Sequence, residues 1–184
     1  DSRDPKNGLF EGLLHYLTDE EGWLNILHEV HKKLFRGFVV TNIEYEVIQN
    51  IREQIGDIFA SEMAIRRGFR EFSYKKAVGY LDNTIKENSE EELKKLSDLD
   101  FNSFLFAINL YGQTTLPPSY PQREKVKESG ILPKREKVTQ YLHPKVQENL
   151  NRIDEAFYSI KVPLTKENIK KVYRKLFEVY WSVY

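Results

Sequence analysis

Three helix-capping motifs organise this chain. Each places Ser or Thr three residues before Glu, at Thr18–Glu21, Thr41–Glu44 and Ser89–Glu92. The two side chains of such a capping box satisfy backbone N–H groups that a helix start leaves without partners. Apolar residues follow each box at three- and four-residue spacing, which is typical of a helix that buries one face. We therefore predict an all-α, compact multi-helix domain of about six to eight helices.

The longest predicted helix follows Thr41. Its apolar stripe consists of Ile43, Val47, Ile51, Ile55 and Ile58. The sequence Arg66-Arg67-Gly68 is a good helix end, since basic residues and glycine favour that position. Gly37 predicts the end of the preceding helix, and Gly112 lies near the end of another. Further helix starts are predicted at Ser73, Asp100, Pro144 and Thr165, and only Phe38-Val39-Val40 is typical of an extended segment.

Composition excludes several classes of protein. There is no cysteine among the 184 residues, which excludes disulfides and thiolate sites and fits an intracellular location. No apolar run approaches the roughly 18 residues that a membrane span needs. The first residue is Asp1 rather than Met, which suggests a processed chain or a fragment. The length favours one domain or two small ones.

Charge is divided unevenly although the net charge is zero. Residues 1–120 hold 14 basic and 20 acidic residues, and residues 121–184 hold 14 basic and 8 acidic ones. We interpret residues 1–112 as an acidic helical part, 113–133 as a Pro-containing basic loop or arm, and 134–184 as a basic helical part of one domain. The basic part would attract either an acidic partner or the acidic part of the same fold.

A short sequence repeat lies across the predicted loop. Pro121-Gln122-Arg123-Glu124-Lys125-Val126 returns twelve residues later as Pro133-Lys134-Arg135-Glu136-Lys137-Val138. Few apolar residues lie near Val126 in the sequence, so the first copy is predicted to be a mobile arm. Val138 is followed by Tyr141 and Leu142, so the second copy is predicted to be a short packed helix. The unit is too short for a solenoid repeat.

Two basic segments are the candidate partner- or phosphate-binding sites. Residues 66–76 form a basic-aromatic island that combines five basic residues with Phe69, Phe72 and Tyr74. Such combinations can hold phosphates and stack bases, although they are also typical of an ordinary helix end. The arm and the second repeat copy supply the other basic residues. The candidate residues are Arg66, Arg67, Arg70, Lys75, Lys76, Arg123, Lys125, Lys134, Arg135 and Lys137.

Histidines and one carboxylate are weaker candidates for chemistry. His28 and His31 lie three residues apart and can share a helix face, which leaves a metal site open as an alternative. Glu62 projects into the middle of the Ile51 and Ile55 stripe. It is either a buried acid paired with Arg66, four residues on, or a sign that the helix has left the core there.

The lead hypothesis is a non-catalytic all-α interaction module, a subunit of a protein or nucleoprotein assembly with a protein partner. It rests on the absence of a catalytic motif, the charge division, the long arm and the aromatic C-terminal stretch. The first alternative is direct nucleic-acid binding through the island and the arm. The second is a metal-dependent helical-bundle enzyme. No catalytic residue and no cofactor is predicted.

Overall fold

A computed structural model describes residues 22–36, 41–98, 100–163 and 165–184. The structure is 80% helical, and the described residues contain no strand, which confirms the predicted all-α class. The predicted box at Thr18–Glu21, the helix end at Gly37 and the extended Phe38-Val39-Val40 lie outside the described residues. The helices are α1 (Trp23–Leu34), α2 (Asn42–Arg66), α3 (Arg70–Glu87), α4 (Glu90–Lys94), α5 (Asp100–Thr114), α6 (Arg123–Val126), α7 (Leu132–Thr139), α8 (Pro144–Gln147), α9 (Leu150–Tyr158) and α10 (Lys166–Val183).

Helix α2 is the central helix and has the predicted ends. The Thr41 hydroxyl accepts from the backbone N–H of Glu44 at 3.2 Å, and the Glu44 carboxylate accepts from the backbone N–H of Thr41 at 2.8 Å. Gly68 follows the helix with φ +91°, a conformation that L side chains rarely adopt. The predicted stripe is buried from Val47 onward. Ile43, in the first turn, is instead 48% exposed, because the helix begins beyond the edge of the core.

Helices α2 and α5 cross at Gly112. A Cβ atom at this position would lie 2.4 Å from the Cβ of Gln54 on α2. Only glycine permits this approach of the two helices. Helix α5 also packs against α3, α8 and α9, so it joins helices that precede it and follow it in the sequence.

Three other predicted helix starts are confirmed, and one is wrong. Ser89 and Glu92 form the predicted capping box of α4, and Pro144 is the first residue of α8. Thr165 accepts from the backbone N–H of Asn168 at 3.1 Å and starts α10. The start predicted at Ser73 is wrong, because α3 begins at Arg70, directly after the turn at Gly68.

The Pro-containing loop is shorter than predicted. Only residues 115–122 lie between α5 and α6, and they carry no charged side chain. From Arg123 the chain is helical: α6 leads through a π-helical turn (Lys127–Ile131) into α7. The first repeat copy, which we predicted to be a mobile arm, is helical from Arg123 to Val126, and Val126 packs against the hydrophobic core. The second copy lies in a short helix, as predicted.

Candidate functional site

The basic-aromatic island is largely engaged in ion pairs. The Arg66 guanidinium lies 3.3 Å from Glu62 and stacks 4.9 Å from the Trp23 ring centre. Lys75 pairs with Glu71 at 2.8 Å. Burial of the Lys76 side chain is extensive, and its ammonium lies 3.5 Å from Asp57. Three of the five candidate cations of the island thus already have a carboxylate partner.

Arg67, Phe69 and Arg70 remain exposed at the turn between α2 and α3. An external phosphate or base could reach these three side chains and also Lys75, whose side chain is 74% exposed. Three reachable cations beside one half-exposed ring form a smaller surface than the predicted set of five. The island therefore supports nucleic-acid binding less well than the sequence alone suggests.

The candidate residues of the repeat divide between surface and interior. Lys125 and Lys137 are exposed, and Lys134 pairs with Asp82 on α3. Arg135 is 0% exposed, and Arg123 is half-buried. Arg135 therefore lies in the interior and not at the surface, where its run of charged neighbours would place it. Its position in the packed α7 directs the side chain inward, where it has partners from α5 and α9.

Arg123 and Arg135 belong to a group that we call the cation cluster, which consists of Arg123, Lys127, Arg135, Asp154 and Tyr158. The carboxylate of Asp154 accepts from Arg135 at 2.6 Å and also pairs with Lys127. The Tyr158 ring centre lies 3.9 Å from the Arg123 guanidinium carbon and 4.0 Å from the Lys127 ammonium. These contacts anchor α6 and the π-helical turn to α9.

Arg135 has two further contacts, both from α5. Its Nε donates to the Thr114 hydroxyl at 2.6 Å, and its guanidinium carbon lies 4.3 Å from the Tyr111 ring centre. Burial raises the pKa of Tyr111 to about 12 and lowers the pKa of Arg123 below its usual range. Burial also raises the pKa of Tyr158, despite the nearby Arg123 and Arg135. These pKa shifts have one cause. Burial disfavours the charged form of each side chain, which is the phenolate of the tyrosines and the guanidinium of Arg123.

Sequence reasoning missed Lys127, Asp154 and Tyr158. A signal was present, because Arg123 and Lys127 are four residues apart, as are Asp154 and Tyr158. Side chains at this spacing share one helix face. That two such pairs face each other depends on the packing of α6 against α9, which no local pattern indicates.

Glu62 is a buried acid, and the interpretation that α2 has left the core at this point is wrong. Its side chain is 1% exposed. The carboxylate pairs with Arg66 as predicted, and it accepts from the Ser119 backbone N–H at 3.0 Å and from the Ser119 hydroxyl. These donors come from the loop between α5 and α6, so Glu62 fixes that loop to α2.

The two candidate metal ligands differ in environment. His28 is exposed, whereas His31 is half-buried against Phe35 and Tyr173. Burial lowers the pKa of His31, with smaller contributions from Arg52 and His28. Within the described ranges, no group of three or more His, Asp or Glu side chains is arranged to hold a metal ion.

A polar groove of about 460 Å³ lies between α1, α2 and the end of α5. Gln113 donates to Asp57 and, at 3.1 Å, to Gln54, which in turn donates to Asn109 at 2.8 Å. Among the described residues that line the groove there is no Ser, Thr, Cys, His, Lys or Tyr. The groove therefore offers carboxylates and amides but no side chain suited to act as an activated nucleophile other than a carboxylate.

Aromatic side chains collect where α10 ends. We call Phe101, Tyr180, Trp181 and Tyr184 the aromatic end. The ring centre of Tyr180 lies 5.0 Å from that of Trp181 and 4.8 Å from that of Tyr184, whose own ring lies 6.3 Å from Phe101. Trp181 is 60% exposed and Tyr184 is 49% exposed. Large rings in contact with one another and with solvent are uncommon on a surface without a binding role.

Basic side chains flank the aromatic end. Lys145 donates to the Val183 carbonyl at 3.2 Å, and Arg152 donates to the Ser182 hydroxyl at 3.3 Å. Burial and the nearby Glu44 carboxylate, in the first turn of α2, raise the pKa of Tyr180.

No helix in the described part of the chain is long and apolar enough to cross a membrane. Comparison of the chain with protein-family models, with curated proteins and with solved structures found no match.

Proposed function

We propose that this chain is a non-catalytic helical interaction module that binds another polypeptide through the aromatic end. The observation that carries the proposal is the exposure of Trp181 and Tyr184 within a cluster of touching rings. Trp and Tyr are enriched among the few residues that contribute most of the binding energy at protein interfaces. Large aromatic rings bury much area for little loss of side-chain entropy.

The flanking charges define the chemistry of the partner. Lys145 and Arg152 lie at the rim, and both are exposed. A segment with an apolar or aromatic anchor and neighbouring Asp or Glu residues would match the rings at the centre and the cations at the rim. Complementary rim charges of this kind speed association and select among partners.

The two alternatives receive less support. Three cations of the basic-aromatic island are paired with carboxylates, so direct nucleic-acid binding would depend mainly on Arg67, Arg70 and the exposed Lys75. The enzyme alternative lacks an arranged metal-ligand group within the described residues. Titration with generic DNA and RNA at several salt concentrations tests the first alternative, because phosphate contacts give a steep salt dependence.

Selection from a random peptide library tests the proposal. We expect the selected peptides to share an apolar or aromatic anchor with flanking acidic residues, and to lose most of their affinity for a Trp181→Ala variant. The matched control is Phe69→Ala, which removes another ring, 51% exposed, that lies in the island. Selected peptides that bind both variants equally, or that carry basic residues instead, would contradict the proposal.

A further inference from the structure

Four buried polar atoms of the cation cluster have no hydrogen-bond partner among the residues that the structure describes. They are Nε and Nη2 of Arg123, Nη2 of Arg135 and the hydroxyl of Tyr158. All four can donate a hydrogen bond, and the three nitrogens can only donate. Buried donors are nearly always paired in native proteins, so four in one connected group of side chains require an acceptor.

The net charge of the cluster indicates what kind of acceptor is missing. Arg123, Lys127 and Arg135 carry three positive charges, and Asp154 is the one carboxylate that contacts them in the described structure. Glu124 and Glu136 are the next acidic side chains, but both are exposed and neither accepts a hydrogen bond from the cluster. An excess of buried positive charge with unused N–H donors favours an anion.

We propose that the cation cluster binds a tetrahedral oxyanion, either free phosphate or a terminal phosphate monoester. Guanidinium groups match phosphate oxygens with pairs of N–H donors, and Lys127 adds a point charge. The Tyr158 hydroxyl would donate to a third oxygen. This site is separate from the aromatic end and independent of the proposed interaction function.

The burial of the cluster limits which phosphates fit. Arg135 is fully buried, whereas Arg123, Lys127 and Tyr158 are all half-buried. The four donor atoms are themselves closed to solvent. A ligand would therefore enter between the half-buried side chains by displacing Arg123 outward, and would place its charged end inward. A terminal phosphate can do this, whereas the internal diesters of a nucleic-acid backbone would remain outside.

Calorimetric titration of the unmodified protein with sodium phosphate is the direct test. We expect one site per chain, together with a phosphate-dependent rise in melting temperature that sodium chloride at equal ionic strength does not reproduce. Binding only to the native state raises its stability in this way. Phenyl phosphate as a second titrant distinguishes the two candidate ligands. Tighter binding than that of inorganic phosphate indicates that the site takes a monoester, and weaker binding indicates that it takes the free ion.

A matched pair of tyrosine variants locates the site. Tyr158→Phe removes the hydroxyl but keeps the ring on which Arg123 and Lys127 stack, and we expect phosphate affinity to fall about tenfold. The control is Tyr173→Phe, which removes another buried hydroxyl without a partner, on α10 beside His31. Its affinity for phosphate should not change. Arg123→Gln, at a half-buried position, should abolish binding while the protein remains folded.

Two results would overturn the proposal. The first is an absence of binding heat together with equal melting temperatures in phosphate and chloride, which would mean that water alone satisfies the four atoms. The second is an equal loss of affinity in Tyr158→Phe and Tyr173→Phe, which would place any phosphate elsewhere. Since the titration of the unmodified protein needs no variant, a misfolded variant leaves the proposal testable.

Discussion

Removing Asp154 should destabilise this protein more than removing Arg135. Asp154 is the shared partner of two buried cations, whereas Arg135 is one of two partners of Asp154. Asp154→Asn therefore leaves Arg135 and Lys127 without a countercharge. Arg135→Met leaves Asp154 still paired with Lys127 and fills most of the same volume.

The magnitudes follow from these partners. Loss of one member of a buried ion pair costs about 3–5 kcal/mol when the remaining charge is uncompensated. Asp154→Asn should lie near the lower end of this range, because Lys127 is 16% exposed and stacks on the Tyr158 ring. Arg135→Met loses the hydrogen bond to Thr114 and the contact with Tyr111 but leaves no lone charge, so we expect about 1–3 kcal/mol.

Urea unfolding followed by circular dichroism, in a phosphate-free buffer, measures both variants and the double variant. We expect the double variant to cost less than the sum of the single ones by more than 1 kcal/mol, since the two side chains interact directly. The control is Lys134→Met on the same helix. Its pair with Asp82 is more exposed, and it should change the free energy of unfolding by less than about 1 kcal/mol.

A larger cost for Arg135→Met than for Asp154→Asn would refute this reasoning. So would effects that add to within about 0.5 kcal/mol, because independent sites behave in that way. If both single variants changed stability by less than about 0.5 kcal/mol, Arg135 would lie on the surface, as the sequence alone suggests.

Three further changes test other contacts. Gly112→Ala should lower the free energy of unfolding by about 1–3 kcal/mol in urea, because its Cβ would overlap Gln54; an unchanged value would contradict the close crossing of α2 and α5. Glu62→Gln and Ser119→Ala should show a coupling above about 0.5 kcal/mol in a double-mutant cycle, since Glu62 accepts two hydrogen bonds from Ser119. His31 has a lowered pKa in the native state, so the unfolded state binds the proton more tightly. Stability should therefore fall as the pH drops below about 6.5, and His31→Gln should flatten this dependence in unfolding measured between about pH 5 and 7.

The fold could be predicted largely from the sequence, since the signals that define it are local. Capping residues and apolar stripes lie within a few residues of the ends they determine, and Thr41, Ser89 and Thr165 each cap a helix as expected. One start site failed because two local signals competed. The start of α3 at Arg70 is fixed by the left-handed turn at Gly68 rather than by the hydroxyl of Ser73.

The candidate site could not be predicted, because its members meet only through tertiary packing. Arg135 stands in a run of charged residues, which is typical of an exposed helix. It is buried because Asp154, 19 residues later, and Thr114, 21 residues earlier, supply acceptors for its guanidinium. The residues next to Arg135 in the sequence do not indicate that these acceptors are present. The projection of Glu62 onto an apolar stripe did indicate burial, but its partner Ser119 lies 57 residues away.

Two buried charges fix the ends of the segment formed by residues 119–135. At its start, Ser119 donates to Glu62 on α2. At its end, Arg135 donates to Asp154 on α9. Apolar contacts alone would tolerate small shifts of such a segment along its neighbours, because dispersion and burial change gradually with position. A buried charge tolerates no such shift, since a displaced hydrogen bond leaves it without a partner. The two charges therefore select one register for residues 119–135, and that register holds Arg123 and Lys127 against Tyr158.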